Sequence, residues 1–191
     1  MTNLNDFTIL HAPGSCGSFV WTIFSCYAES QGVINQQIGD GDASIDQAGT
    51  NANLVHWPHE IPTNKKVVVI DFDDADKKAI CRMYLHKNLL NQLSESPDVL
   101  AKSWDGKYKD IDPTNVDLLE KIILDNIDDF IFPAWKQMIG SVEAVLTIQF
   151  KDIMFGDLNK IIADFFQKTP LPEVEAFIQH YRSSNEKYFV D

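Results

Sequence analysis

The run Lys66–Phe72, KVVVIDF, constrains the fold of this chain more than any other segment. Val67, Val68, Val69 and Ile70 are consecutive β-branched residues, so the run offers no polar alternation to a solvent-facing side. Such a segment suits a parallel strand buried on both faces, and that strand needs helices above and below its sheet. Phe7–Leu10 reads as a second short apolar strand, followed by a buried helix from Gly17 to Gln31 that stops at Gly32. Leu54–Trp57 reads as a short strand ended by Pro58, and Ala144–Phe150 as a late strand. Helical patterns run from Ala75 to about Leu93 behind a cap at Asp73 or Asp74, and from Thr114 or Asn115 to Phe132 before a break at Pro133. Two more cover Gly156–Phe166 and Glu173–Tyr188. Strands alternating with helices predict an α/β domain with a parallel sheet, occupying residues 1–191 as one domain without repeats. Residues 33–53, rich in Asn, Gln, Asp and Gly, are too long for a simple connection and read as either a functional loop or a partly mobile one.

Charge narrows the function classes. The net charge is −12 and the only arginines are Arg82 and Arg182. A general nucleic-acid surface needs clustered Lys and Arg to displace counterions, so no nucleic-acid partner is expected. A polyanionic ligand would need a locally positive pocket within this acidic chain. The apolar stretches are short of a membrane span, and the start MTNLNDF lacks the basic and apolar pattern of a signal peptide. Cys16, Cys26 and Cys81 show no metal-ligand spacing and are odd in number, which predicts a reduced, cytoplasmic setting.

The segment His11-Ala-Pro-Gly-Ser-Cys-Gly-Ser18 sits between the first strand and the first helix. The first turn of a helix exposes free N–H groups at the positive end of its dipole, which suits a phosphate or sulfate. Gly14 and Gly17 would let the backbone approach such an anion, and Ser15 and Ser18 would add hydroxyl donors. No Gly-Lys-Ser/Thr follows the glycines, so the loop is not a Walker A motif.

With these elements in place, the chain resembles the sulfotransferase family at three points. Pro13–Ser18 is similar to the family's 5′-phosphosulfate loop, Val55-His56-Trp57-Pro58 to its Thr-His-Leu-Pro segment, and Leu146–Phe166 to its late strand, acidic turn and helix. The resemblance implies a three-layer α/β sandwich with a central parallel sheet and P-loop-like architecture. It also implies sulfuryl transfer from 3′-phosphoadenosine 5′-phosphosulfate (PAPS) to a hydroxyl or amine of a small molecule or glycan. Residues Gly14, Ser15, Cys16, Gly17 and Ser18 would then cradle the 5′-phosphosulfate, and His56 would be the base. Two departures stand out: Ser15 or Gly14 replaces the basic loop residue, and Asp71 stands where the family arginine holds the 3′-phosphate. Lys78 and Arg82, one helical turn apart, are the substitute pair for that phosphate.

Other residue types define the alternatives. An imidazole suits general-base work near neutral pH, which makes His56 the catalytic candidate and His11, at a strand tip, a candidate donor to a sulfate oxygen. His59 reads as solvent-facing. Cys16 lacks the arginine of a Cys-x5-Arg nucleophile loop, since position 22 is Thr22. Asp71, Asp73, Asp74 and Asp76 read as helix-capping carboxylates rather than a metal cage. The competing functions are a catalytically silent binding protein on the same fold and a P-loop enzyme of nucleotide or phosphoryl transfer. The missing loop cation and Asp71 favour the first; the missing Walker lysine disfavours the second.

Overall fold

A computed structural model of the chain describes residues 4–28, 54–96, 98–102, 106–130 and 135–189. The Gly32 stop, the 33–53 loop and the Pro133 break lie outside the described residues. Strands β1 (Phe7–Leu10), β2 (Leu54–Val55), β3 (Lys66–Asp71) and β4 (Ala144–Gln149) form one sheet in the order β2-β1-β3-β4. Every neighbouring pair is parallel, with Ile9 beside both Leu54 and Val68, and Val69 beside Thr147. The valine run of β3 is buried, as its sequence requires, and all of β1 is buried beside it. At the edge, β4 alternates and exposes Val145.

The strand order fixes where the helices go. The chain steps from β1 to β2 in one direction, then returns past β1 to β3 and on to β4. Right-handed crossovers therefore put α1 (Gly17–Tyr27) on one face and the β3–β4 connection on the other. That connection holds α2 (Lys77–Tyr84), α3 (Leu90–Glu95), α4 (Val99–Lys102), α5 (Val116–Asp125), α6 (Ile127–Phe130) and α7 (Trp135–Gly140). After β4 come α8 (Phe150–Met154), α9 (Leu158–Phe165) and α10 (Pro172–Asn185), and α9 packs on both α1 and α10. The result is an α/β fold with an all-parallel sheet, consistent with three layers. No helix among the described residues is long and apolar enough to cross a membrane.

Several helices depart from the sequence expectation for identifiable reasons. The predicted Ala75–Leu93 helix opens as a tight turn at Asp74–Asp76, where the Asp76 carboxylate accepts the Asp73 N–H at 2.9 Å. Its middle widens into a π turn, Leu85–Leu89, which keeps Leu85 and Leu89 fully buried while carrying His86, Lys87 and Asn88 toward the surface. Single π turns of this kind recur at functional sites. The helix from Asn115 ends early at Asn126, whose backbone leaves the helical region (φ −126°, ψ 39°) and whose side-chain amide also donates to the Ile122 carbonyl at 2.9 Å. Phe150 does not extend β4 but opens α8, whose end is held by Arg182: its guanidinium donates to the carbonyls of Ile153 (2.8 Å), Asp152 (3.0 Å) and Gly156 (2.6 Å).

A buried polar ring locks α1 to the C-terminal helices. Tyr27, fully buried, donates its hydroxyl proton to Asn159 Oδ1 and accepts the Leu171 N–H at 2.8 Å. Asn159 Nδ2 completes the ring by donating to the Leu171 carbonyl at 3.0 Å. Phe7, Phe24, Phe165 and Phe166 pack edge-to-face beside it. Removing the hydroxyl leaves an acceptor and a donor buried without partners. We therefore expect Tyr27→Phe to lower unfolding stability by about 1–3 kcal/mol in urea titration, despite nearly unchanged volume.

Candidate functional site

The site begins where the β1–β2 ladder runs out of backbone. His11 N–H donates to the Val55 carbonyl at 3.0 Å, one step past the end of β1. In a parallel ladder the next donor, to the His11 carbonyl, would be the N–H of Trp57. Pro58 instead starts the tight turn Pro58–Glu60, and the Trp57 and His56 N–H groups both donate to Glu60 Oε2 at 3.0 Å. The His11 carbonyl is satisfied by the His56 side chain, whose Nδ1 lies 2.8 Å away. A carbonyl only accepts, so Nδ1 carries the proton, and in the neutral ring Nε2 is left as an acceptor.

His11 holds this arrangement from below. Its ring is buried, with Nδ1 donating to the Ala12 carbonyl at 3.0 Å, and meets the His56 ring edge-on at 4.4 Å between centroids. The other edge of the ring lies on Gly17, where a Cβ would come within 2.3–2.5 Å of it. Burial first, and then the neighbouring His56, push the His11 imidazole down to about pKa 3. His11 is therefore neutral at physiological pH and supplies no positive charge. With its proton on Nδ1, the Nε2 of His11 has no proton to donate, so this arrangement does not supply the donor to a sulfate oxygen expected from the sequence.

The loop itself is tightly folded inward. Gly14 (φ 80°) and Cys16 (φ 69°) both adopt the left-handed region. A Cβ at Gly14 would lie 2.5 Å from the Ile80 carbonyl, so the loop lies directly on α2. The Ser15 hydroxyl is buried and donates to the Ala12 carbonyl at 2.6 Å. The Cys16 thiol is buried and accepts the Tyr181 hydroxyl proton at 3.2 Å; Tyr181 stacks on Phe19 at 3.7 Å. Lys87, from the π turn, places its ammonium 4.7 Å from the Tyr181 ring centroid. Burial pushes the Cys16 thiol up to about 11, overriding the opposing effects of Tyr181 and Lys87. It stays protonated near neutral pH, which is unsuited to a nucleophile.

A cavity of about 630 Å³ opens at the C-terminal ends of β1 and β2, lined by His11, Gly14, Ser18, His56, Glu60 and Asn88 together with neighbouring apolar groups. Open parallel sheets place ligands at such strand ends. Of the residues predicted from sequence, His11, His56, Gly14 and Ser18 come together here. Ser15 and Cys16 turn into the protein, and Gly17 faces the His11 ring. Lys78 and Arg82 are not among the lining residues; Arg82 donates to Glu120 at 2.9 Å, on α5. Asp71 is neutralised by Lys136, whose ammonium lies 2.7 Å and 2.8 Å from its two oxygens, and Asp73 by Lys151 at 3.4 Å. No cluster of His, Cys, Asp or Glu able to hold a metal occurs among the described residues.

Sequence reasoning missed Glu60 and Asn88. Glu60 had a readable signal, since Trp57-Pro58-His59-Glu60 has the spacing of a capping turn, with Pro just inside and an acid three residues after the start. Asn88 had none, because a π turn leaves no signature in apolar periodicity. Comparison with known proteins adds no relative: no family model, curated protein or solved structure matches this chain.

Two outcomes follow from the histidine pair. Gly17→Ala should cost about 1–3 kcal/mol of stability, because the buried His11 ring must move to admit the methyl group; thermal and urea unfolding would measure it. His11 binds its proton more weakly folded than unfolded, so as pH falls below about 6.5 the unfolded chain takes up a proton that the native state refuses. Stability is then lost progressively down to the folded value of about 3. Between pH 6.5 and 5 the stability of His11→Gln should fall less steeply than that of the wild type, by up to about 1.4 kcal/mol per pH unit.

Proposed function

We propose that this is a sulfotransferase-like α/β protein that binds a small molecule or glycan in the 630 Å³ cavity, with His56 as general base toward a hydroxyl or amine of that ligand. The observation that carries the reading is the fixed His56 tautomer: Nδ1–H donates to the His11 carbonyl, so Nε2 is the ring nitrogen able to take a proton. Glu60 reinforces it by gripping the backbone N–H of His56 itself at 3.0 Å. General-base assistance of this kind contributes roughly 10²–10⁴-fold to a rate. The P-loop architecture and sulfuryl transfer from PAPS belong to this proposal through the sequence resemblance.

The described residues do not fit PAPS well. The loop offers Ser18 and backbone N–H groups, but Ser15 and Cys16 are turned inward and Arg82 is paired with Glu120. No Lys or Arg lines the cavity among the described residues. Transfer of a sulfuryl group needs preorganised positive charge where the anion develops, and the described side chains lining this cavity do not supply it. A lining without Lys or Arg among the described residues favours a second reading, a catalytically silent binding protein on the same fold.

Titration with 3′-phosphoadenosine 5′-phosphate separates the two. Saturable binding near the micromolar range, about −8 kcal/mol, supports the transferase, and its rate should then fall at least about 100-fold in His56→Ala. Absence of nucleotide binding at low and moderate salt eliminates PAPS-dependent transfer and leaves the silent binder.

A further inference from the structure

The wall of the cavity formed by the His56–Glu60 turn is made of acceptors. Glu60 Oε2 takes two backbone N–H groups, which fixes the carboxylate on its own turn, while Oε1 has no partner among the described residues. His56 commits its only proton in the neutral ring to the His11 carbonyl, leaving Nε2 likewise an acceptor. Both residues line the same cavity, with Ser18 and the Asn88 amide among its other polar groups. A ligand group meeting this wall must bring donors, and a positive charge would offset Glu60 where no Lys or Arg lines the cavity among the described residues. A hydroxyl brings one proton and no charge; a primary ammonium brings three protons and a positive charge. We infer that the cavity selects a ligand carrying a primary ammonium group, with Glu60 as the specificity-determining residue beside His56. This selectivity rests on the cavity of the proposed function but not on its nucleotide cofactor.

The test uses shape-matched pairs, tyramine against tyrosol and glucosamine against glucose, titrated into the full chain by calorimetry or NMR near pH 7. The expected result is that the amine of at least one pair binds about fivefold or more tightly than its alcohol. Glu60→Gln should erase that preference, because the neutral amide no longer attracts the ammonium while its oxygen still accepts the His56 and Trp57 N–H groups. A second measurement needs no variant: on the wild type, raising salt from about 0.05 to 0.5 M should weaken amine binding and leave alcohol binding unchanged. Absence of amine binding in both pairs, equal affinity within each pair, or an amine preference insensitive to salt overturns the inference. The nucleotide titration is independent: amine selectivity without nucleotide binding leaves this inference standing while sulfuryl transfer falls, and the reverse outcome does the opposite.

Discussion

One hydrogen bond organises the cavity end of this sheet: His56 Nδ1–H to the His11 carbonyl, at 2.8 Å. It exists because Pro58 and Glu60 pull the backbone out of the sheet one residue too early, leaving a buried strand-end carbonyl in need of a donor. The imidazole supplies that donor, so a fold requirement and a chemical property become the same interaction. Satisfying the sheet also sets the tautomer. Gly17, by admitting the His11 ring against the start of α1, and His11, by meeting the His56 ring edge-on, hold the arrangement from inside.

The electrostatics of the chain have a comparable internal logic. The protein is strongly acidic, and several of its cations are committed to carboxylates or carbonyls away from the cavity. Lys136 and Lys151 hold Asp71 and Asp73 at the end of β3, Lys77 bridges Asp74 and Asp128, and Arg82 meets Glu120. Arg182 closes α8 by its carbonyls. Such pairs relieve like-charge repulsion around β3, though exposed ones contribute little stability individually. Their consequence for function is larger: the cavity retains the charge of Glu60 without a lining Lys or Arg among the described residues.

Much of the fold was legible because it rests on patterns with a period. The β-branched run of β3, the apolar β1 and the helix starts at Gly17 and Asn115 follow from burial and capping, and the parallel sheet follows from their alternation. The loop between β1 and α1 was legible as a turn but not in its orientation. Ser15 looks like an anion donor and Cys16 like a small buried loop thiol; with positive φ at Gly14 and Cys16 both side chains turn into the core, toward Ala12 and Tyr181, which bears out the reading of Cys16 and not that of Ser15. His11 and His56 were legible as residues of interest, whereas their division of labour depends on a carbonyl that only the sheet register reveals. Arg82 was placed on the correct helix, but its partner Glu120 is 38 residues away on α5, beyond the reach of any local pattern.

The tautomer of His56 is the property to measure, by nitrogen-15 NMR correlation spectra of the histidine rings at about pH 8, where an ordinary imidazole is neutral. We expect a protonated Nδ1 in slow exchange, coupled across the hydrogen bond to the His11 carbonyl, and an unprotonated Nε2. A ring protonated at Nε2, or one averaging between tautomers, would contradict this, because the strand-end carbonyl would then lack its donor and His56 its assigned basic nitrogen.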